Sequence, residues 1–236
     1  MFMSNRRFSK LFIYLHYALS FISDHVTFNS SVPIEKLNKL FYAKNRIKFI
    51  PNGIEIDKKS IKKSSDEKLR LVIVARLNII KNHMFLLEAI NNYPNKSNIV
   101  LNIVGHGKEY DTLAEYVKKN SMKNIVFHGE IKNPRSIVEK SDIGVLVSKS
   151  EGFSNVILEY MLCAKAIIAT DVGSNKLCVT DNGFLIDTIN EFHSALDKYV
   201  LDKEFLYVHQ KNSFKNIDLF DIKNITTKYE ELYDEV

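Results

Sequence analysis

The sequence predicts an α/β protein built on a doubly wound parallel sheet, and three observations predict it. From residue 67 onward, short apolar runs alternate with segments of helical periodicity. Arg70 and Thr170 aside, the runs over 69–75 and 166–170 are apolar throughout rather than alternating, the pattern of strands covered on both faces. The residues able to do chemistry gather where these runs end, which is where sheets of this class bind their ligands.

Each element follows in turn. A strand at 69–75 leads to a helix at 83–92, a strand at 99–104 and a helix at 108–120. The pattern repeats with a strand at 125–128, a helix at 134–141 and a strand at 143–147. The helix over 154–164 can be capped by Ser154 or Asn155, with Val156, Ile157 and Leu158 as its first buried residues. Strands at 166–170 and 183–186 follow, and the tail carries charge-rich helices near 190–213 and 221–234. Before residue 67 the pattern is a helix at 8–22, a strand at 26–29, a helix at 33–42 and a strand at 47–50. Two such pieces are too few to complete a second sheet domain. Pro51-Asn52-Gly53 is a turn signal, and the polar stretch 58–68 reads as a linker. The expected division is an N-terminal remnant over 1–50, a linker over 51–68 and a ligand-binding sheet domain over 69–205. Helices over 206–236 pack back toward the N-terminal part.

A chain of 236 residues with 45% apolar and 26% charged residues has the composition of an ordinary globular protein with a sizeable core. The net charge of +5, from 33 basic against 28 acidic residues, suits phosphate-bearing ligands or an anionic membrane face. No dense basic stretch suggests a nucleic-acid groove; Lys58, Lys59, Lys62 and Lys63 read as a solvated linker surface. Cys163 and Cys178 give neither a disulfide framework nor metal-ligand spacing, and Cys163 falls on the apolar face of a helix as packing. This usage fits a reducing, cytoplasmic setting. Arg6, Arg7 and Lys10 precede an apolar stretch over 11–22 that superficially resembles a signal peptide. The stretch is too short to span a bilayer and holds His16, Tyr14 and Tyr17, so a core-packed or membrane-grazing helix is expected. Peripheral association with the inner face of a membrane is the corresponding expectation for localisation.

The most informative segment is Glu151-Gly152-Phe153-Ser154-Asn155-Val156-Ile157-Leu158-Glu159, in which two carboxylates flank a turn that opens a helix. The free amides of Gly152 to Asn155 would face an anionic or hydroxyl-rich ligand. Glu159 lies roughly 7 Å further along the axis, a spacing suited to gripping two parts of one extended ligand. A second element runs from Ala75 to His83: Arg76 ends a strand and Lys81 precedes a helix. Together they read either as a diphosphate clamp or as a strand-terminal Arg with a solvated Lys. In Val104-Gly105-His106-Gly107 the glycines allow close backbone approach to a ligand, but a dinucleotide fingerprint is not met, and His106 is a surface side chain or a ligand contact. In Phe127-His128-Gly129-Glu130-Ile131 a base could lie against the backbone beside Ile131, or the glycine marks a tight turn.

Taken together, these segments resemble the GT-B glycosyltransferases of family 4. The landmarks stand in family order: Pro51-Asn52-Gly53, Val74-Ala75-Arg76 with Lys81, Val104-Gly105-His106-Gly107, Phe127-His128-Gly129, Ser150 to Asn155 with Glu159, and Ile168 to Gly173. The resemblance spans about residues 24 to 236 and implies the Rossmann-like, C-terminal half of a GT-B fold behind a short N-terminal remnant. It implies transfer of a hexose or N-acetylhexosamine, with retained configuration, from a nucleotide diphosphate sugar, by family frequency UDP-linked. The acceptor would be a saccharide or lipid-linked oligosaccharide of surface polysaccharide synthesis. The matching positions make Arg76, Lys81 and Glu151 the catalytic candidates. The donor-binding candidates are Arg76, Lys81, Gly105, Glu130, Ile131, Glu151, Gly152, Phe153, Ser154, Asn155 and Glu159. In the family, Arg76 and Lys81 correspond to residues that hold the diphosphate, Glu151 to one on the sugar and Glu159 to one on the ribose. There is no Asp-x-Asp pair, so neither a metal nor another cofactor is expected.

The sequence departs from the family at Tyr160, where a small residue is usual, and at Ala164-Lys165-Ala166, where Gly-x-Pro is usual. Both departures are expected to touch packing and the turn more than the ligand. A larger departure is the N-terminal sheet domain, of which residues 1–50 look like only the last portion; His16 and His25 do not stand in the context of the family's donor-side histidine. The chain is therefore either a shortened transferase, or a donor-binding module or remnant that needs a partner chain carrying the acceptor domain.

Overall fold

The computed structural model describes residues 24–30, 47–58 and 67–235. The helices expected over 8–22 and 33–42, with the signal-like stretch, lie outside the described residues, as do Lys59, Lys62 and Lys63. Among the described residues no helix is long and apolar enough to cross a membrane.

Two sheets are present. Strands β1 (Val26–Phe28) and β2 (Ile47–Phe49) form a small parallel pair. The main sheet contains β3 (Leu69–Val74), β4 (Ile99–Val104), β5 (Ile125–Gly129), β6 (Ile143–Leu146), β7 (Ala166–Thr170) and β8 (Gly183–Ile186). All its pairs are parallel, in the order β5-β4-β3-β6-β7-β8. The chain builds outward from β3 to β5, then restarts at β6 on the other side of β3. This reversal sets the crevice of a doubly wound sheet between β3 and β6. Those two strands pair only at Leu71↔Ile143 and Val72↔Gly144 and diverge beyond.

Helices cover both faces, which explains the mostly apolar strands. On one face, Leu69, Leu71 and Ile73 pack with α1 (His83–Asn92), α2 (Tyr110–Lys119) and α6 (Ile189–Leu201). On the other, Val72 and Val104 pack with α3 (Arg135–Glu139), α4 (Asn155–Leu162) and α5 (Asn175–Cys178). The short α5 has no counterpart among the sequence expectations. The single tail helix expected near 190–213 is broken at Asp202, whose side chain accepts from the Phe205 N–H and starts α7 (Lys203–Asn216). A 3₁₀ turn (Ile217–Phe220) then leads to α8 (Ile222–Asp234).

The tail meets the segment after β2. Ile54 donates to the Phe220 carbonyl at 2.9 Å and accepts from Ile222 at 3.0 Å. Lys48 bonds Glu235 at 3.1 Å, tying the end of α8 to β2. Lys58, expected to be merely solvated, pairs with Asp218 at 2.6 Å and lies over the Phe214 ring, so that expectation is corrected. Cys163 is half-buried at the end of α4 and packs against the core, as expected, and burial pushes its thiol up.

Candidate active site

The site residues stand at the carboxyl edge of the sheet, and backbone contacts fix each carrier loop. Beyond β3, Leu77 is fully buried; its N–H bonds His106 at 3.1 Å and its carbonyl accepts from Glu109 at 3.1 Å. Arg76, just before it, is exposed, and its side chain has no partner among the described residues. The turn to Lys81 is closed by Asn78, whose Oδ1 accepts from the Lys81 N–H at 3.0 Å. The Lys149 N–H anchors this turn to the end of β6 through the Ile80 carbonyl at 2.8 Å. Lys81 Nζ meets Glu151 Oε1 at 2.5 Å. Two residues 70 apart in sequence are thus in contact, at a place where their side chains are 26% and 12% exposed.

The 151–155 loop is braced from behind. Gly173 sits at φ +59, and a Cβ there would lie 2.4 Å from the Glu151 carbonyl oxygen, so only glycine allows the loops to close. Ser174 N–H donates to the Gly152 carbonyl at 2.9 Å. The fully buried Asn175 accepts from Ser154 Oγ at 2.7 Å and donates to the Thr170 carbonyl at 3.0 Å. Ser154 therefore occupies the cap position without capping: its hydroxyl braces the loop, and no side chain caps α4. Among the described residues, the N–H groups of Gly152, Phe153, Ser154 and Asn155 donate to no protein acceptor. Four unpaired donors at a helix N-terminus form a ready site for anionic or hydroxyl oxygens.

The other sequence-predicted residues are placed less uniformly. Phe153 packs its ring on Phe220 at 6.1 Å, so only its amide faces the loop mouth. Asn155 Oδ1 accepts from Asn52 Nδ2 at 2.7 Å, and Asn52 Oδ1 accepts from Asn29 Nδ2 at 3.0 Å. This chain of amides links β1, the turn after β2 and the start of α4; the sequence marked Pro51-Asn52-Gly53 only as a turn. The close approach at Gly105 is made within the protein. Its Cβ would lie 2.1 Å from the Ala75 carbonyl oxygen at φ +137, so the glycine is required by the fold itself. His106 is a surface side chain beside Tyr110. Glu130 and Ile131 are exposed just past β5.

Glu159, one turn along α4 from Asn155, lines a cavity of about 270 Å³ with Lys132, Asn133, Pro134, Arg135, Val138, Leu162 and Cys163. Burial raises its carboxyl above the ordinary range. Arg76, Lys81 and Glu151 are not among this cavity's walls. Arg135 closes one side: it pairs with Asp57 at 2.5 Å and with Glu139 at 2.9 Å, carrying the segment after β2 to the cavity rim. Sequence reasoning missed Arg135, whose position at the start of α3 carried no motif.

Comparison with known proteins agrees with this architecture. The profile of glycosyl transferases group 1 matches residues 68–202, and the chain belongs to that family. The chain is 29% identical over 177 residues to a Campylobacter jejuni protein, covering 72% of this chain and 48% of the relative. That relative is N-acetylgalactosamine-N,N'-diacetylbacillosaminyl-diphospho-undecaprenol 4-alpha-N-acetylgalactosaminyltransferase. The chain is also 27% identical over 208 residues to the Staphylococcus aureus capsular polysaccharide biosynthesis glycosyltransferase CapH, covering 83% and 55%. The crystal structure of Anabaena HepE in complex with UDP superposes with a TM-score of 0.82 at 21% identity, covering 91% of this chain and 64% of that one. The fold is that of one half of a GT-B glycosyltransferase. The chain spans about half the length of the curated relatives it matches.

Proposed function

We propose that this chain binds a nucleotide diphosphate sugar at the edge of its sheet and serves a family 4, retaining transfer of a hexose or N-acetylhexosamine. The observation that carries the reading is the Lys81–Glu151 contact immediately before four unpaired amides at the start of α4. Cation, carboxylate and amides are the groups a sugar diphosphate needs. In this reading Arg76 and Lys81 hold the diphosphate and stabilise the charge it gains as the anomeric C–O bond breaks and a new bond to the acceptor oxygen forms. Glu151 orients the sugar hydroxyls, assisted by the amides of Gly152 to Asn155. Glu159 accepts from the ribose hydroxyls, with the base running toward Glu130 and Ile131 and the Glu159 cavity.

The reading takes UDP as the donor nucleotide, supported by the complex of HepE with UDP. A surface polysaccharide or lipid-linked acceptor is supported by the names of CapH and of the Campylobacter relative. The setting is the cytoplasm or the inner face of its membrane. The reaction is metal-independent, because the two cations supply the positive charge a divalent ion would otherwise bring. The matched regions cover only about half of each of these relatives. In a second reading the chain is a donor-binding module, and a partner chain provides the acceptor wall.

Calorimetry with UDP and UDP-N-acetylglucosamine, alongside donor hydrolysis with and without EDTA, tests the reading. Binding with EDTA-insensitive hydrolysis supports an active transferase, and binding without turnover supports the donor module. No binding of either nucleotide at millimolar concentration rejects both.

A further inference from the structure

We propose that the Lys81–Glu151 ion pair is an exchangeable latch that makes the site favour a sugar-bearing diphosphate over the bare nucleoside diphosphate left after transfer. The proposal rests on the donor-site reading above and assigns the pair a selective role within it.

The two cations of the site differ in state. Arg76 is exposed with no side-chain partner among the described residues, whereas Lys81 is committed to Glu151 at 2.5 Å. A diphosphate therefore engages Arg76 directly but recruits Lys81 only by opening the pair. Once opened, the pair leaves the Glu151 side chain, 12% exposed, largely withdrawn from water and without its cation. A half-buried carboxylate stripped of its counter-charge is unfavourable unless donors replace it. The hydroxyls of a sugar on the diphosphate are such donors, and a bare diphosphate brings none. The sugar nucleotide thus exchanges partner for partner: Lys81 passes to phosphate and Glu151 to sugar. After transfer, the carboxylate loses its hydroxyls, the pair re-forms, and the spent diphosphate loses one of its two cations.

The loops are built so that this exchange moves side chains and not backbone. Asn78 and Lys149 hold the Lys81 turn at 3.0 and 2.8 Å. Gly173 and Ser174 hold the Glu151 loop, through close packing and a 2.9 Å bond to the Gly152 carbonyl. Neither set of contacts involves the ion pair.

The test is calorimetric titration of the full chain with UDP and with UDP-N-acetylglucosamine. Glu151→Gln removes the competing charge but keeps the shape, and it is expected to bind UDP about fivefold more tightly than the wild type, the worth of a partly exposed pair. The same variant is expected to lose the preference for the sugar nucleotide. A second arm is independent of that variant: Lys81→Gln is expected to weaken UDP binding less than Arg76→Gln, because the pair already offsets the contribution of Lys81. Unchanged or weaker UDP binding by Glu151→Gln overturns the latch, as does a greater loss for Lys81→Gln than for Arg76→Gln. Both results leave the donor site standing. Failure of the wild type to bind either nucleotide removes the donor-site reading itself. Ligand-free thermal melts establish that each variant is folded; if Glu151→Gln is not, the comparison of the two cation variants decides.

Discussion

Tyr160 and Gly144 provide a quantitative test of how the crevice between β3 and β6 is built. Tyr160 is fully buried, and its Oη accepts from the Val74 N–H at 2.9 Å and donates to the Val145 carbonyl at 3.3 Å. It bridges the two strands where their own pairing has ended. Gly144 makes room for the ring: a Cβ there would lie 2.2 Å from Tyr160 Cδ2. Ordinary contact is about 3.5 Å or more, so Gly144→Ala forces a buried ring to move by more than about 1 Å. Overpacking of this kind costs about 1–3 kcal/mol, against about 0.5–1 kcal/mol gained by replacing glycine in a strand. The net expectation is a loss of about 1 kcal/mol, or roughly 2–4 °C in Tm for a domain of this size. In a Tyr160→Ala background, itself costly through its cavity and the orphaned Val74 N–H, the new methyl has space and the same substitution becomes neutral or favourable. Urea denaturation of the four proteins gives the coupling energy, expected near about 2 kcal/mol. An equal cost of Gly144→Ala in both backgrounds refutes the reasoning.

Other outcomes follow from single positions. His83 is buried, both its ring nitrogens lack a partner, and burial, aided by the charge of Lys81, lowers its pKa to about 4. A depressed histidine takes up a proton on unfolding, so its contribution is present at neutral pH and is lost as pH falls from 6.5 toward 4. Between about pH 7 and pH 5 this amounts to about 2 kcal/mol. His83→Leu should remove that part of the pH dependence in urea titrations, and an unchanged slope contradicts it. Ala164 holds φ +54 where the resembling family has glycine, so Ala164→Gly should raise stability by about 1 kcal/mol in thermal melts, and a loss contradicts the strain. Glu159→Ala should weaken UDP binding about tenfold, the worth of a charged hydrogen bond. Because burial raises the Glu159 carboxyl, wild-type affinity should fall on acidification at a higher pH than an ordinary glutamate would give, and calorimetry from neutral to mildly acidic pH checks both.

Several strands were legible as short apolar runs: the expected bounds 99–104, 166–170 and 183–186 are those of β4, β7 and β8. Helix α5 was missed because four residues are too few to show periodicity. The break at Asp202 was missed because apolar spacing continues across it, although Asp-Lys-Glu there is a start signal. Within the site, residue types and loop positions were readable, but pairings across the sheet were not. Nothing local to Lys81 or Glu151 says that they touch, and nothing near Phe153 says that its ring turns away to Phe220. In sequence the glycines at 105 and 173 signal a ligand or a motif landmark, whereas in the fold each is required by a neighbouring carbonyl of the same chain.

The donor site stands or falls with the unpaired amides of residues 152–155 meeting a ligand together with the Lys81 turn. Hydrogen exchange measured by mass spectrometry, with and without saturating UDP-N-acetylglucosamine, addresses this directly. Slowed exchange in peptides covering 76–82 and 151–159, with little change over α8, is the expected result. Unaltered exchange in both peptides, despite measured binding, would place the ligand elsewhere and contradict that assignment.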